Sequence, residues 1–378
     1  MVRVSLSSIL VVCCSVLIML LCAGCALFGL QALPPVNGNP VFELQGFNIC
    51  AWDRKGWSDA GLVDKALKFA IEEGANFIAL DWAVNFNDDG TMVPVSESLH
   101  PRWSDMERLI NRARKAGLHI MLKPHVTGAD TAENRNIWNT DIANFKTDVF
   151  FPAYKAYMED LADFAARLGV DAICIGTELN HLDTDFRSQW ADLIAAVRTR
   201  FSGTIAYDAL FNRNLRAVPD LAEVCFWDLV DVIGVSLYVP VTRNDDASVQ
   251  EIRQGWLEAL EPDIEIGDVL GYLRSIAESV GKPIMALEGG YQSVSGGLFD
   301  FSGINEEKIV NNDLQARGLD AYLGMLSENR DEWLKGVSLW ELTPAMLSSK
   351  NLLTDWHTKA FSVYGKPAAD VVKAYFVQ

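Results

Sequence analysis

From residue 41 onward, short apolar runs alternate with longer stretches in which apolar residues recur every three or four positions. The short runs predict strands, and the longer stretches predict amphipathic helices. Strands are predicted at about 45–51, 76–82, 118–124, 171–178, 203–208, 230–238, 283–288 and 336–340. Helices are predicted at about 60–73, 104–116, 152–168, 186–201, 313–326 and 368–376, with one more ending near 280 and a long loop at 239–267 before it. This alternation is typical of βα units and a parallel sheet.

Eight strand–helix units in 378 residues predict a single-domain (β/α)8 TIM barrel over 41–378. An open, doubly wound sheet would alternate in the same way. Its phosphate loop, G-x-G-x-x-G after the first strand, is absent from the sequence. The length would also accommodate two medium domains, but eight units favour one barrel.

Four predicted strands end in a polar or aromatic residue: Glu178, Tyr238, Glu288 and Trp340. Alternation places each of them on the face of its strand that carries mostly small residues. The same-face partners are Cys174 and Gly176 for Glu178, Gly234 and Ser236 for Tyr238, Ile284 and Ala286 for Glu288, and Gly336 and Ser338 for Trp340. A narrow barrel lumen accounts for such faces. We therefore expect the four end residues to point inward at one rim.

Two glutamates at the carboxyl ends of parallel strands predict a catalytic pair, because barrel active sites lie at that rim. Glu178 and Glu288 could instead be ion-paired parts of the scaffold. A carboxylate at the end of an apolar strand is costly to desolvate, which favours a functional role. Paired carboxylates suit glycoside hydrolysis: about 5–5.5 Å between them indicates retention, and about 6.5–9.5 Å indicates inversion.

Other predicted rim residues have a functional and a structural interpretation. Lys123 and His125 share a face at the end of strand three, where they could bind a sugar or belong to the rim. A lone histidine without a second ligand does not predict a metal. Asp81 has inward parity and could bind a hydroxyl group or a neighbouring lysine. Trp52 and Trp82 could stack on a sugar or plug the barrel under loops.

At the fifth rim position, the sequence leaves open whether Tyr207 or Asp208 points inward. His181 follows Glu178 closely and could affect the pKa of that carboxyl or lie exposed. Asn180 and Tyr291, near the two glutamates, are further candidates for substrate binding.

Charge and composition narrow the class of partner. A net charge of −18 excludes nucleic acid as a favourable partner, because a protein neutralises phosphates with Lys and Arg. It suits a neutral substrate. Eleven Trp residues provide rings for stacking on sugars as well as for core packing. No cofactor is expected, because two carboxylates supply the chemistry.

The N-terminal segment predicts export. Arg3 precedes an almost continuous hydrophobic run from Leu6 to Leu21, and Ala23 and Gly24 precede Cys25. This pattern is typical of a bacterial lipoprotein signal at 1–24, with Cys25 as the lipidated residue, although Cys22 stands where Leu is usual. Ordinary cleavage and an uncleaved anchor are the alternatives. Residues 25–40 predict a tether to a membrane of the cell envelope.

Three cysteines remain in the body: Cys50, Cys174 and Cys225. They are odd in number and form no C-x-x-C pair, so neither a disulfide framework nor a zinc site is indicated. Buried free thiols are expected.

Five motifs in this order resemble the clan A glycoside hydrolases, and most of all glycoside hydrolase family 113, whose characterised members are chiefly β-mannanases. They are Leu122-Lys-Pro-His125, Ile175-Gly-Thr-Glu178-Leu, Asp231-Val-Ile-Gly-Val-Ser-Leu-Tyr238, Leu287-Glu288-Gly-Gly-Tyr291 and Gly336-Val-Ser-Leu-Trp340. The resemblance covers about residues 46–340.

The resemblance implies a retaining double displacement, with Glu178 as acid/base and Glu288 as nucleophile. It also implies that Tyr238 hydrogen-bonds the nucleophile and that Trp340 lies beneath the sugar. Many clan members have Asn before the acid/base, where this chain has Thr177. Asn180 or another group would then make the usual contact with the sugar 2-hydroxyl.

Together these observations predict an exported, lipid-anchored glycosidase that cleaves neutral β-linked polysaccharides or oligosaccharides, β-1,4-mannan first. Another β-glycan such as glucan or galactan, or exo-acting mannosidase activity, is the alternative within enzymes. A surface sugar-binding lipoprotein without catalysis is the alternative of another class.

Overall fold

A computed structural model describes residues 32–377, apart from 37, 53, 88, 97, 99, 129–145, 214–219, 302 and 349–353. The predicted signal at 1–24 and the lipidation site Cys25 lie outside the described residues. In the described ranges, no helix combines the length and apolar character needed to cross a membrane. Part of the predicted tether packs on the body: Leu33 and Val36 contact the core, and the Val36 amide donates to the Ala116 carbonyl at 2.8 Å.

The described residues form the predicted (β/α)8 barrel. Eight parallel strands close in sequence order, β1-β2-β3-β4-β5-β6-β7-β8. They are β1 Leu44–Cys50, β2 Phe77–Phe86, β3 His119–Gly128, β4 Ala172–Thr177, β5 Thr204–Leu210, β6 Val232–Leu237, β7 Ile284–Gly289 and β8 Leu334–Leu342. The carboxyl ends of all eight strands therefore meet at one rim.

The helices surround the barrel. They are α1 Arg54–Ser58, α2 Ala60–Glu72, α3 Trp103–Ala116, α4 Thr147–Leu168, α5 Leu182–Asp185, α6 Arg187–Arg198, α7 Val249–Leu257, α8 Val269–Val280, α9 Asn312–Glu328, α10 Asp355–Lys359 and α11 Ala368–Phe376. Several end at glycines in the left-handed conformation, where a β-carbon would be strained: Gly117, Gly169 and Gly281. These tight ends return the chain to the next strand.

The predicted elements are all present, with different boundaries. β2 and β3 extend beyond their predicted ends, to Phe86 and Gly128, so both strands continue further than predicted. α4 starts at Thr147, five residues before the predicted helix start at Pro152. The predicted loop at 239–267 contains α7, whose start is capped by Ser248 and Glu251.

The lower lumen is apolar, and its lining tests the predicted strand faces. Its residues are Phe77, Ala79, Met121, Ala172, Cys174, Ala206, Val232, Met285 and Leu287. The small face of β6 points inward as predicted: a β-carbon on Gly234 would collide with the Leu287 side chain, which lines the lumen. The prediction for β7 is wrong, because Met285 and Leu287 line the lumen while Ile284 and Ala286 pack in the outer core.

The predicted face of β4 is also partly wrong. Cys174 points into the lumen, but a β-carbon on Gly176 would meet Leu179, Tyr207 and Trp190, which belong to the outer core. The three body cysteines are free thiols, as predicted, and Cys225 is only half-buried.

Candidate active site

Glu178 reaches the rim through an irregular strand end. In the β4–β5 ladder, Cys174 pairs with Ala206 and Thr177 with Asp208, so β4 carries one extra residue. Glu178 then adopts φ 51°, a left-handed conformation that few non-glycine residues take. Its amide donates to the Asp208 carbonyl at 2.7 Å. A bulge followed by this turn, rather than strand alternation, directs the carboxyl group.

Glu288 also follows a bulge. Val235 pairs with Ala286 but Ser236 pairs with Glu288, so the ladder skips Leu287. Leu287 lies in the lumen, and Glu288 directly after it reaches the buried Lys123. One carboxyl oxygen accepts a hydrogen bond from Lys123, and the other accepts one from the Tyr238 hydroxyl at 2.9 Å. Glu288 is therefore held at both oxygens by donors.

Lys123 is the centre of a buried charge cluster. Its ammonium contacts Asp81 at 3.0 Å and Asp208 at 3.1 Å in addition to Glu288, and the lysine side chain is fully buried. Burial alone lowers the pKa of Lys123, but the three carboxyl groups outweigh burial and hold that pKa well above its ordinary value. The lysine therefore stays charged beneath the cavity.

One ammonium does not neutralise three carboxylates. Burial raises the pKa of Asp208 well above its ordinary value; Lys123 opposes this rise, and Glu288 and Glu178 add to it. Ionisation of Asp208 is therefore disfavoured in the folded protein.

Asp81, His125 and Glu288 offer ligand atoms within 4.8 Å of one another, a spacing that could hold a metal ion. The Lys123 ammonium already lies among them, 3.0 Å from both Asp81 Oδ1 and His125 Nε2. A metal ion would have to displace this cation. The arrangement is that of an ion-pair cluster.

Aromatic rings flank the two glutamates. On one side, the Trp52 ring lies 5.3 Å from His125 and 6.0 Å from Trp340, between centroids. On the other side, Tyr238 lies 5.2 Å from Phe361 and 5.8 Å from Phe301. Such walls suit the apolar faces of a sugar ring.

A cavity of about 390 Å³ lies at the carboxyl end of the barrel. Glu178 and Glu288 both line it, as predicted. The lining is Trp52, His125, Glu178, Leu210, Tyr238, Glu288, Gln292, Phe301, Gly303, Ile304, Trp340, Glu341, Ala360 and Phe361. Three carboxyl groups, aromatic rings and few other polar groups converge in one concave site, which is typical of a catalytic pocket.

Residues 50–366 match the family model of Glycoside Hydrolase Family 113. The chain belongs to glycoside hydrolase family 113. The match covers most of the chain and includes every described residue that lines the cavity. No curated protein matches it significantly.

Solved structures share the fold of this family 113 enzyme. The GH113 β-mannanase AaManA from Alicyclobacillus acidocaldarius, in complex with ManMIm, has a TM-score of 0.70 and 23% identity, covering 90% of this chain and 97% of that chain. A GH113 β-1,4-mannanase complex has a TM-score of 0.70 and 22% identity, with 89% and 98% covered. The endo-β-1,4-mannanase from Thermotoga petrophila has a TM-score of 0.57 and 12% identity, with 90% and 77% covered.

In this family 113 glycoside hydrolase, several predicted substrate contacts lie below or outside the cavity. The charge cluster fully buries Asp81, Lys123 and Asp208. Asp81 therefore binds a neighbouring lysine, which is the structural role predicted for it. Tyr207 points outward and Asp208 inward. His125 lines the cavity as well as contacting the cluster.

Three other candidates are not among the described lining residues. Trp82 is fully buried in the outer core, where its indole N–H donates to the Tyr157 hydroxyl at 2.9 Å, so it follows the packing interpretation. Tyr291 is buried and donates to the Val239 carbonyl at 3.0 Å. Asn180 is buried, and its backbone N–H donates to the backbone carbonyl of Glu178 at 2.8 Å. This bond positions the backbone beside the acid/base candidate.

The turn after Glu178 has its own buried support. The Tyr207 hydroxyl accepts from the Leu179 amide at 2.9 Å and donates to Asp183 at 2.8 Å. Burial raises the pKa of Asp183 to about 6, although the Tyr207 hydrogen bond opposes the rise. His181 is exposed and lies in the left-handed region at φ 71°. Tyr207 therefore does not point to the rim, and its contacts give it a positioning role.

The cavity includes lining residues that the sequence did not indicate, chiefly Glu341, Phe301 and Phe361. Glu341 directly follows Trp340, so alternation would turn it outward. A bulge in β8 reverses this, because Phe47 pairs with Leu339 and Ile49 with Leu342. Phe301 and Phe361 come from segments outside the strands, with no periodic pattern to identify them.

Proposed function

We propose that this family 113 glycoside hydrolase cleaves β-1,4-mannan and manno-oligosaccharides with retention, with Glu288 as nucleophile and Glu178 as acid/base. The observation that carries the proposal is the placement of both glutamates on one aromatic-lined cavity, with Glu288 bound by Lys123 and Tyr238. Mannan is chosen because the solved relatives named above are β-mannanases.

The first chemical step uses the two carboxyl groups together. A Glu288 oxygen forms a bond to the anomeric carbon as the bond to the leaving oxygen breaks and its electron pair goes to that oxygen. Glu178 transfers its proton to the leaving oxygen. Lys123 and the Tyr238 hydroxyl bind the two oxygens of Glu288 and hold it oriented for attack.

In the second step, the Glu178 carboxylate removes a proton from water. The water oxygen attacks the anomeric carbon and displaces Glu288, which leaves as a carboxylate. The product keeps the β configuration, and Glu178 is again protonated.

The test is hydrolysis of a glycan panel by the purified chain, followed by NMR of the first product anomer. We expect cleavage of β-1,4-mannan in preference to β-glucan and β-galactan, with the β anomer appearing first. Initial appearance of the α anomer would reject retention. Cleavage of another glycan with mannan untouched would reject the substrate class, and oligosaccharide binding without hydrolysis would favour a sugar-binding protein.

We also propose export and lipid anchoring through Cys25, on the sequence pattern of residues 1–25 alone. Replacement of Cys25 by Ala should abolish lipid labelling in a bacterial host. Continued labelling of the Cys25→Ala protein would exclude this residue as the anchor.

A further inference from the structure

A third carboxyl group, Glu341, lines the cavity beside Glu178 and Glu288. The side chain is 3% exposed, so nearly all of its contact is with protein and with whatever fills the cavity. The bulge in β8 directs it there, and bulges near active sites commonly re-aim side chains. The double displacement described above leaves Glu341 without a role.

Two hydrogen bonds hold Glu341 in position. The Thr343 hydroxyl donates to its Oε2 at 3.2 Å, and the Trp52 side chain donates a second bond. Trp52 also lies 6.0 Å from Trp340, between ring centroids. The carboxyl group is therefore fixed at the edge of the aromatic wall against which a sugar ring would lie.

The charged groups around Glu341 do not compensate the cost of burying its carboxyl group. Glu288 and Asp81 repel its ionised form, and Cys50 and Tyr238 are its other titratable neighbours. Lys366 also acts on it electrostatically, but burial lowers the pKa of Lys366 to about 7, and its Nζ donates to Ser293 Oγ at 2.8 Å and to the Ala360 carbonyl at 3.0 Å.

Burial is the largest cause that raises the pKa of Glu341, to about 7, with Glu288 and Asp81 adding to it. A buried carboxyl group in this environment is costly unless a partner compensates it.

We propose that Glu341 binds a ring hydroxyl of the sugar that lies against Trp52 and Trp340, and so contributes to the choice of glycan. The proposal deepens the proposed function and rests on it. A sugar brings hydroxyl groups and no charge, so it can donate to a carboxyl oxygen without adding to the repulsion from Glu288. Most of the surrounding lining is apolar, including Leu210, Phe301 and Ile304. A fixed polar group there can therefore distinguish sugars that differ in the position of a hydroxyl group.

The experiment compares Glu341→Gln and Glu341→Leu with wild type on manno-oligosaccharides, and on aryl β-mannoside and aryl β-glucoside. Glu341→Leu should lower kcat/KM for the mannoside about 10- to 100-fold and change the mannoside-to-glucoside ratio, since a hydrogen bond to a charged group is lost. Glu341→Gln, which keeps one acceptor oxygen, should lose less. Glu73→Gln is the matched control, because Glu73 is also buried with a raised pKa but lies at the end of α2.

Binding is measured separately in a Glu178→Gln background, which removes one titrating group from the cavity. Manno-oligosaccharide should bind more tightly as the pH rises through about 7, because an ionised carboxylate is the stronger acceptor. Glu341→Gln should flatten this dependence. Unchanged kcat/KM, unchanged substrate ratio and unchanged pH dependence of binding in the Glu341 variants would overturn the proposal, even if their melting temperatures fell.

The two proposals fail differently. If wild type cleaves another β-glycan and not mannan, the assigned substrate fails and the Glu341 comparison is decided on that glycan. If wild type binds oligosaccharides without cleaving any, the catalytic proposal fails and the binding measurement decides the role of Glu341.

Discussion

The two candidate catalytic carboxyl groups occupy different surroundings, although both follow a bulge. Glu288 is 4% exposed and held by an ammonium and a phenol at its two oxygens. Glu178 is half-buried, follows the end of its strand and depends on a turn in the left-handed region. A nucleophile must stay ionised and fixed, whereas an acid/base must exchange protons with the leaving group and water. The difference therefore supports the proposed roles, with Glu288 as nucleophile and Glu178 as acid/base.

The sharpest way to break this assignment is to remove each carboxyl group and supply azide. Glu288→Gly should lower hydrolysis of manno-oligosaccharides by about 10⁴-fold or more, and Glu178→Gly by about 10²- to 10⁴-fold. On an aryl mannoside with a good leaving group, azide should give the α-mannosyl azide with the Glu288 variant and the β-mannosyl azide with the Glu178 variant. NMR identifies the products. The reverse pattern would exchange the two roles.

The next largest effect concerns the cation that holds Glu288. Lys123→Met leaves Asp81, Asp208 and Glu288 without their shared ammonium. We expect a loss of about 3–5 kcal/mol in the free energy of unfolding. We also expect a fall of about 100-fold in kcat, because the nucleophile loses its position. Denaturant unfolding and steady-state kinetics measure the two effects.

A second substitution separates stability from positioning. Lys123→Met combined with Asp208→Leu also removes a buried carboxyl group whose ionisation is disfavoured by burial. The double variant should recover part of the lost stability but not kcat. Near-normal kcat in Lys123→Met would show that Glu288 does not depend on the lysine.

The sequence predicted the barrel, because the alternation of strands and helices is local and eight units are visible. It also predicted both glutamates at one rim. It did not predict how they reach the cavity: strand alternation is correct for Gly234 but fails at Gly176 and Leu287, where bulges intervene. A bulge depends on pairing with a distant strand and on barrel closure, which the local pattern does not record.

The same reasoning explains the errors at individual residues. Trp82 could have been assigned correctly, since an inward Asp81 already places its neighbour on the outer face. Glu341 could not, because alternation after an inward Trp340 gives the wrong direction. Phe361 comes from a segment beyond the last strand, so only the fold brings it to Tyr238.

A smaller effect is expected from the turn that supports Glu178. Tyr207→Phe removes the hydroxyl that joins the Leu179 amide to Asp183. We expect kcat/KM on manno-oligosaccharides to fall about tenfold, because buried polar groups lose their partner and the turn loosens. Tyr157→Phe is the control: it removes another buried hydroxyl, which bonds Trp82 rather than the turn. Equal effects of both variants on activity would show that Tyr207 acts through general stability alone.

The smallest effect on activity is expected at His100, a titrating group in the outer shell that does not line the cavity. His100 is 1% exposed, with Nδ1 2.6 Å from the Pro101 carbonyl and Nε2 3.0 Å from the Tyr157 hydroxyl. The carbonyl only accepts, so the neutral ring carries its proton on Nδ1 and accepts from Tyr157. Burial lowers the pKa of His100 from 6.5 to about 4, the Pro101 hydrogen bond opposes this and Arg54 adds to it.

Because this folded-state pKa is depressed, the stability that depends on neutral His100 is present above pH 6.5 and is lost as the pH falls toward 4. The loss amounts to about 3 kcal/mol over that window. His100→Gln should be less stable than wild type at pH 7.5, yet lose less stability on acidification, with kcat/KM at pH 7.5 almost unchanged. Denaturant unfolding at pH 7.5 and pH 4 measures this, and parallel losses in both proteins would contradict it. Such parallel losses would show that groups other than His100 cause the acid sensitivity.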